Sequence, residues 1–316
     1  MSFALIDIGS NTIRLSTYAT GDEARALIET SPPGELDQVN GFVRVFSKKV
    51  MAQLATFTDD DGALTGDGIA RATDALVYLT SLASHLGVTD VRAFATASLR
   101  DVSNSAEALR RIEEGTGLSI ELISGDEEAR LGFASFIREH PLDTGVICDI
   151  GGGSTEVVFF EDGELSQSAS LKIGSLKAHK KYVGGLLPTP TEAAYIRQKV
   201  GTCLDRAGFD SGTAAVTTVC GIGGSARAVV KLMSQMGLEA RTGTAFPTGQ
   251  LDDVVRTLLA DGRRATDLLL RGCPERVHTL IPGALVLQAI AERFRAAEIV
   301  IGRYGVREGY VYERII

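Results

Sequence analysis

Apolar residues recur along this chain in two registers. Short β-branched and aliphatic runs read as strands, and stretches with apolar residues at three- and four-residue steps read as helices. The run from Gly145 to Ile150 passes Asp149, gives way to Gly151, Gly152, Gly153, Ser154 and Thr155, and resumes through Glu156 to Phe160. An apolar run, a glycine turn and a second apolar run predict a β-hairpin. The same plan appears at the N-terminus, where Phe3 to Ile8 leads through Gly9, Ser10, Asn11 and Thr12 into Ile13, Arg14 and Leu15. Two copies of one hairpin imply an internal duplication and two related halves.

Between and beyond these copies, residues 24–29 read as a short strand, residues 31–41 as a proline-containing loop, and residues 42–57 as either strand or helix. Ile69, Ala72, Thr73, Leu76, Leu79 and Leu82 predict a helix from Thr65 to near Gly87. Residues 91–96 and 118–123 read as strands. They flank a helix over 105–114, with Ser105 as N-cap and Gly115 as stop. Ser124 opens a further helix that Pro141 closes. After the second hairpin come a strand over 164–172, helices over 174–182 and 191–204, and a strand and glycine loop over 213–227 that enters a helix. Helices over 248–260 and 264–270, a longer one ending at Phe294, a strand over 298–301 and a short terminal helix complete the reading.

At 316 residues, 44% hydrophobic and 23% charged, the chain is long enough for two domains. No apolar stretch nears the roughly 20 residues of a membrane span, and no basic leader precedes the first strand, so a cytoplasmic protein without membrane contact is expected. The four cysteines form no Cys-x-x-Cys pair, and Cys148 and Cys220 read as buried thiols. A net charge of −8 argues against a nucleic-acid binder. A polyanion would need a metal or a local basic patch. The densest basic segment, Lys177 to Lys181, reads either as a solvated face or as a polyphosphate or nucleotide contact.

The chemistry collects at the glycine loops. Gly151 to Gly153 can turn backbone N–H groups onto an anion, and Ser154 and Thr155 add hydroxyl donors. Asp149 and Glu156 flank that loop and suit a hydrated magnesium ion. Gly221 to Ser225 lacks the third glycine of a dinucleotide fingerprint, yet it can present an N–H cradle at a helix start. Arg100, just past a strand end, reads either as an anion contact or as a locally paired arginine. Glu127 and Glu128 open a helix, where acidic residues are favoured by the macrodipole alone. Asp59, Asp60, Asp61 and Gly62 lack the spacing and terminal glutamate of a calcium loop.

Taken together, these loops resemble the phosphate-gripping cleft of the actin and sugar-kinase superfamily, and one branch of it closely: the exopolyphosphatase and guanosine pentaphosphate phosphohydrolase family. The motifs that carry the resemblance are Asp-Ile-Gly-Ser-Asn-Thr at 7–12, Ala-Thr-Ala-Ser-Leu-Arg-Asp at 95–101, Ile-Ser-Gly-Asp-Glu-Glu-Ala-Arg at 123–130, Asp-Ile-Gly-Gly-Gly-Ser-Thr-Glu at 149–156, Gly-Ile-Gly-Gly-Ser at 221–225 and Glu-Arg-Val-His-Thr-Leu-Ile-Pro-Gly-Ala at 275–284. The resemblance implies an α/β fold of two actin-like (ribonuclease H-like) domains with an interdomain cleft. Domain I would be residues 1–124 plus 302–316, and domain II residues 125–301.

It also implies roles. Glu128 would be the base that orients the attacking water, with Glu127 in its place should the motif register differ by one. Asp149, Glu156 and Asp7 would hold magnesium or another divalent cation. Gly9, Ser10 and Asn11, with Gly151, Gly152, Gly153, Ser154 and Thr155, would cradle the terminal phosphates. Arg14 and Arg100 would offset their charge, and Gly223, Gly224 and Ser225 would hold the next phosphates. The expected activity is hydrolysis of the terminal phosphoanhydride of polyphosphate. Hydrolysis of guanosine pentaphosphate at the 5′ end is the alternative, and a superfamily kinase or a non-catalytic nucleotide sensor are readings from other classes. With its end at Ile316, the chain resembles the short, two-domain members, for which a homodimer is implied. Residues 48–55 lack the Arg-Leu-Gly-rich stretch expected there, which would narrow the substrate range.

Overall fold

The computed structural model describes residues 2–31, 36–39, 41–209, 215–238 and 244–316. The expected prolines of the first loop, Pro32 and Pro33, and the first residues of the strand expected from Thr213 lie outside them. The chain divides into two compact units, residues 1–124 with 310–316, and residues 125–309. The return crossing therefore falls between Gly309 and Tyr310, inside the terminal helix, whereas the resemblance places it near Gly302.

In the first unit the duplicated hairpin is β1 (Ser2–Ile8) and β2 (Ile13–Thr20), paired antiparallel with Asp7 opposite Arg14 and Ile8 opposite Ile13. Helix α1 (Gly21–Thr30) follows where residues 24–29 read as a strand. Gly21 turns the chain at φ +59°, Asp22 and Glu23 occupy the first helical turn, and Ala24 and Leu27, three residues apart, pack on Ala19 and Val43. That spacing is helical, and the short window hides it. Strands β3 (Asp37–Val39) and β4 (Phe42–Val50) add to the antiparallel side, which settles residues 42–50 as strand. A 3-10 turn over Leu54–Phe57 leads to α2 (Gly66–His85), capped by the Thr65 side chain. Then come β5 (Val91–Ala95), the single turn α3 (Ala97–Arg100), α4 (Ser105–Thr116) and β6 (Ile120–Leu122). The N-cap of α4 is Asn104, not Ser105, and its helix stop is Gly117 at φ +69°, not Gly115. The Asn104 side chain instead reaches across 40 residues to bond both backbone groups of Leu64.

The second unit opens with α5 (Gly125–Glu139) and the hairpin β7 (Gly145–Ile150) and β8 (Thr155–Glu161), extended by β9 (Glu164–Leu171). Helices α6 (Ser175–Tyr182) and α7 (Pro190–Arg206) lead to β10 (Thr218–Ile222) and α8 (Gly223–Gln235). β11 (Ala245–Pro247), α9 (Thr248–Ala260), α10 (Gly262–Gly272), α11 (Leu280–Arg293), β12 (Glu298–Ile301) and α12 (Val306–Arg314) complete the chain.

The two sheets run β3-β4-β2-β1-β5-β6 and β11-β12-β10-β7-β8-β9. Apart from one added edge strand in each, both place three antiparallel strands beside two parallel ones in the order third, second, first, fourth, fifth. This is the actin-like topology, built twice, and it puts the duplicated glycine turns at equivalent sheet positions. Helix α11 is buried on every side from Leu280 to Ala291, as an all-round apolar sequence requires. The end of α12 closes on the first sheet: Tyr310 stacks on Phe94 at 5.1 Å, and its hydroxyl donates to Glu121 at 2.7 Å. No helix among the described residues is long and apolar enough to cross a membrane.

Earlier in the same helix, Gly309 lies against the Leu131 carbonyl of α5, where an added β-carbon would overlap the backbone. Gly309→Ala should therefore lower the unfolding free energy by about 1–3 kcal/mol. Gly249→Ala in α9, where an added β-carbon meets nothing within 4 Å, should be neutral or slightly stabilising in the same denaturant titration.

Candidate active site

In the second unit the hairpin turn closes with the Gly151 N–H donating to the Ser154 carbonyl at 3.1 Å. The Gly151 and Gly152 carbonyls face the start of α6. The Gly151 oxygen accepts from the Ser175 N–H at 2.9 Å and the Ser175 hydroxyl at 3.0 Å, and the Gly152 oxygen accepts from Leu176 and Lys177 at 3.0 and 2.9 Å. Gly174 must be glycine, because a β-carbon there would sit 2.7 Å from the Gly152 carbonyl. In a trans peptide the C=O and N–H point in opposite directions. With the Gly151 and Gly152 carbonyls on α6, the N–H groups of Gly152 and Gly153 point the other way. They form adjacent donors of the kind that bind anions.

Beside the turn, Asp149 and Glu156 are direct cross-strand partners. Like charges in that position destabilise a hairpin unless a cation offsets them. Glu156 is almost fully buried and accepts the Ser170 hydroxyl at 2.7 Å. Asp149 lies over the beginning of α8: a β-carbon on Gly223, which has φ +81°, would overlap its Oδ1. Arg227 supplies cationic charge nearby. Burial and the neighbouring Arg307 lower its pKa, while Glu308 and Asp149 pull it back up. Arg276 packs its guanidinium onto Gly224, and burial likewise lowers its pKa. Among the described residues no three His, Cys, Asp or Glu side chains are grouped to hold a metal. A carboxylate pair nonetheless fits magnesium, which keeps several waters and shares phosphate oxygens.

Glu127 and Glu128 stand in the first turn of α5. Glu128 is buried at 8% exposure and Glu127 is half-buried. The helix is held against the sheet by Gly132, where a β-carbon would come 3.0 Å from Ile222.

The first unit repeats the turn. The Gly9 N–H donates to the Thr12 carbonyl at 3.0 Å, and the Ser10 and Asn11 carbonyls accept from Ala55 and Gln53 at 3.1 and 2.9 Å. The duplication thus extends to the way each turn's carbonyls are tied back. Here, however, the partner of Asp7 across the hairpin is Arg14, so the position held by Glu156 in the second copy carries its own cation. The metal chemistry fits the second copy better. Arg14 also donates to the Ser47 hydroxyl at 3.4 Å. Arg100 donates to Asp101 at 3.1 Å and to the Ile123 carbonyl at 3.2 Å. Asn11 is 6% exposed, and neither atom of its side-chain amide finds a partner among the described residues.

Two expected donors are turned inward. The Thr155 hydroxyl donates to the Ile173 carbonyl at 2.6 Å and pins the hairpin to the segment between β9 and α6. Ser225 lies buried beneath Gly283 with its hydroxyl on Ser175 at 3.4 Å, which leaves its backbone N–H in the first turn of α8 as the group able to meet an anion. Arg227 and Arg276 carry no assignment in the sequence reading. Arg276 lies inside the motif at 275–284 and Arg227 two residues past the motif at 221–225, but neither position by itself shows that the side chain reaches the glycine loops.

A family model described as the Ppx/GppA phosphatase family matches residues 35–315. Exopolyphosphatase 1 of Mycobacterium tuberculosis is 26% identical over 100% of this chain and 88% of that protein. The guanosine-5′-triphosphate,3′-diphosphate pyrophosphatase of Vibrio cholerae is 26% identical over 99% of this chain, which spans 59% of that protein. Among solved structures, an Aquifex aeolicus Ppx/GppA family member superposes with a TM-score of 0.74 at 22% identity, covering 100% of this chain and 97% of that one. An exopolyphosphatase from Cytophaga hutchinsonii reaches a TM-score of 0.82 at 18% identity, covering 99% and 97%. At these identities the structures speak for the fold.

A buried amide without partners costs about 1–3 kcal/mol. Asn11→Leu, close to isosteric, should therefore raise the unfolding free energy of the ligand-free chain by about that amount while weakening phosphate binding. Lower stability in the same titration would mean that the amide is satisfied within the fold.

Proposed function

The chain belongs to the Ppx/GppA phosphatase family, whose members are phosphoanhydride hydrolases, and from that membership we propose that it is an exopolyphosphatase releasing orthophosphate from the end of inorganic polyphosphate. The observation that carries the reading to particular residues is the hairpin turn with its two outward N–H groups beside the Asp149–Glu156 pair.

Phosphoryl transfer to water depends on positioning and on neutralising phosphate charge more than on covalent help. The N–H groups of Gly152 and Gly153 and the first turn of α8 bind phosphate oxygens, and the turn at Gly9, Ser10 and Asn11 is a second phosphate-holding element. Arg227 and Arg276 add charge that the sequence reading had left to Arg14 and Arg100. Asp149 and Glu156 are the residues suited to magnesium, which would neutralise phosphate charge when bound. Glu128 orients a water molecule and takes its proton as the water oxygen bonds to the terminal phosphorus. The bridging P–O bond breaks, and the shortened chain leaves with the bridging oxygen. Burial at the start of α5 supports Glu128 over Glu127 for this role. The same reading places the chain in the cytoplasm, in keeping with its four free cysteines, and as a homodimer.

Glu128→Gln should lower kcat by about 10²–10⁴-fold with KM little changed, while Glu127→Gln should have a much smaller effect. Retention of most phosphate release by Glu128→Gln would overturn the assignment. Guanosine pentaphosphate presents the same kind of terminal phosphoanhydride. Phosphate release from it and from polyphosphate, measured side by side, should favour polyphosphate.

A further inference from the structure

Three charged side chains are buried among the described residues, all of them glutamates: Glu128, Glu156 and Glu308. The first two already have places in the hydrolytic centre. Glu308, the most buried at 1% exposure, has none. Taking a carboxylate out of water is unfavourable unless hydrogen bonds and cations compensate it. One such bond is local: as the third residue of α12, Glu308 accepts the Gly305 N–H at 3.0 Å, in the manner of a capping-box glutamate. A glutamine serves that cap equally well. The cap therefore does not account for a buried negative charge.

That charge acts on Arg227 of α8. Burial and then Arg307 lower the Arg227 pKa, and of the two carboxylates that raise it again Glu308 acts more strongly than Asp149. The backbone brings these groups together. Arg227 donates to the Arg303 carbonyl at 3.1 Å, and the Arg303 and Tyr304 N–H groups donate to Glu139 at 2.9 and 3.3 Å. The Gly302 N–H bonds to the Gly221 carbonyl at 2.9 Å, near the end of β10. Gly305 then passes beside Asp149, where an added β-carbon would stand 3.9 Å from Oδ2. Residues 302–308 are thus one braced segment that carries Glu308, holds Arg227 through the Arg303 carbonyl and lies against the Asp149 carboxylate. A guanidinium that settled on Asp149 would take up the charge a divalent cation needs there.

We propose that Glu308 is a positioning residue for the hydrolytic centre: as the counter-ion of Arg227 it keeps that guanidinium off Asp149, which leaves the Asp149–Glu156 pair to a divalent cation and Arg227 to a phosphate oxygen. The proposal rests on the reading of that pair as the cation site. Its consequence is that a residue outside the glycine loops sets how tightly they hold the ion.

The test is binding of manganese(II) alone to the full chain without phosphate, followed by the electron paramagnetic resonance signal of the free ion, beside a denaturant titration. Glu308→Gln, which keeps the cap, should bind the ion about tenfold more weakly than the wild type, and Asp149→Asn should lose binding. Arg227→Met alone should bind it about as well as the wild type, because Glu308 already holds the guanidinium away. In that background Glu308→Gln should make no further difference. A tenfold loss there would mean that Glu308 attracts the cation by its own charge, and would overturn the proposal. A tenfold gain in Arg227→Met alone would do the same, since it would seat Arg227 on Asp149 in the wild type. Wild-type affinity in Glu308→Gln, with lower stability in Glu308→Ala, would leave the cap as the residue's whole role. Absence of wild-type binding would remove the cation site and the proposal with it, while phosphate release is judged by itself. The expected pattern of binding in a chain that releases no phosphate would uphold the counter-ion and sink the exopolyphosphatase reading instead.

Discussion

The carbonyl oxygens of Gly151 and Gly152, tied to the first amides of α6, are the constraint on which the candidate site depends. That tie decides which way the turn's peptide groups point and leaves two N–H groups for an anion. Gly174 makes it sterically feasible, and Gly223 lets the start of α8 approach Asp149. Ser175, at the head of α6, touches both Gly151 and Ser225, so the turn and the beginning of α8 are braced through one serine. An anion-binding loop built of glycine would otherwise lose much of its backbone freedom on binding.

The duplication clarifies the electrostatics. Both hairpins close their turns through the same glycine-to-carbonyl bond and tie their carbonyls to a neighbouring segment, yet only the second places two carboxylates side by side. Asp7 has Arg14 across the strand, whereas Asp149 has Glu156 with Arg227 near it. One scaffold thus yields two turns of different local charge, and the carboxylate pair suited to a cation belongs to the second.

Much of this was legible in the sequence because its determinants are local. Asp-Ile-Gly after an apolar run marks both hairpins, and the three- and four-residue steps of Ile69 to Leu82 mark α2. What stayed hidden was settled by partners far along the chain. The strand expected at 24–29 is a helix because Ala24 and Leu27 find Ala19 and Val43 on one side. Asn104 rather than Ser105 begins α4, its side chain drawn to Leu64. Thr155 looks like a phosphate donor until the Ile173 carbonyl, 18 residues on, is seen to accept its hydrogen bond. Nor does a composition distinguish Arg276, seated on Gly224, from other arginines.

The central claim is removal of phosphate from a chain end by water. Phosphorus-31 spectra taken during partial digestion of long polyphosphate in oxygen-18 water test it most directly. The account predicts orthophosphate carrying one heavy oxygen per molecule released, with the remaining chains still long. Accumulation of mid-length fragments without orthophosphate, or orthophosphate without the label, would contradict it.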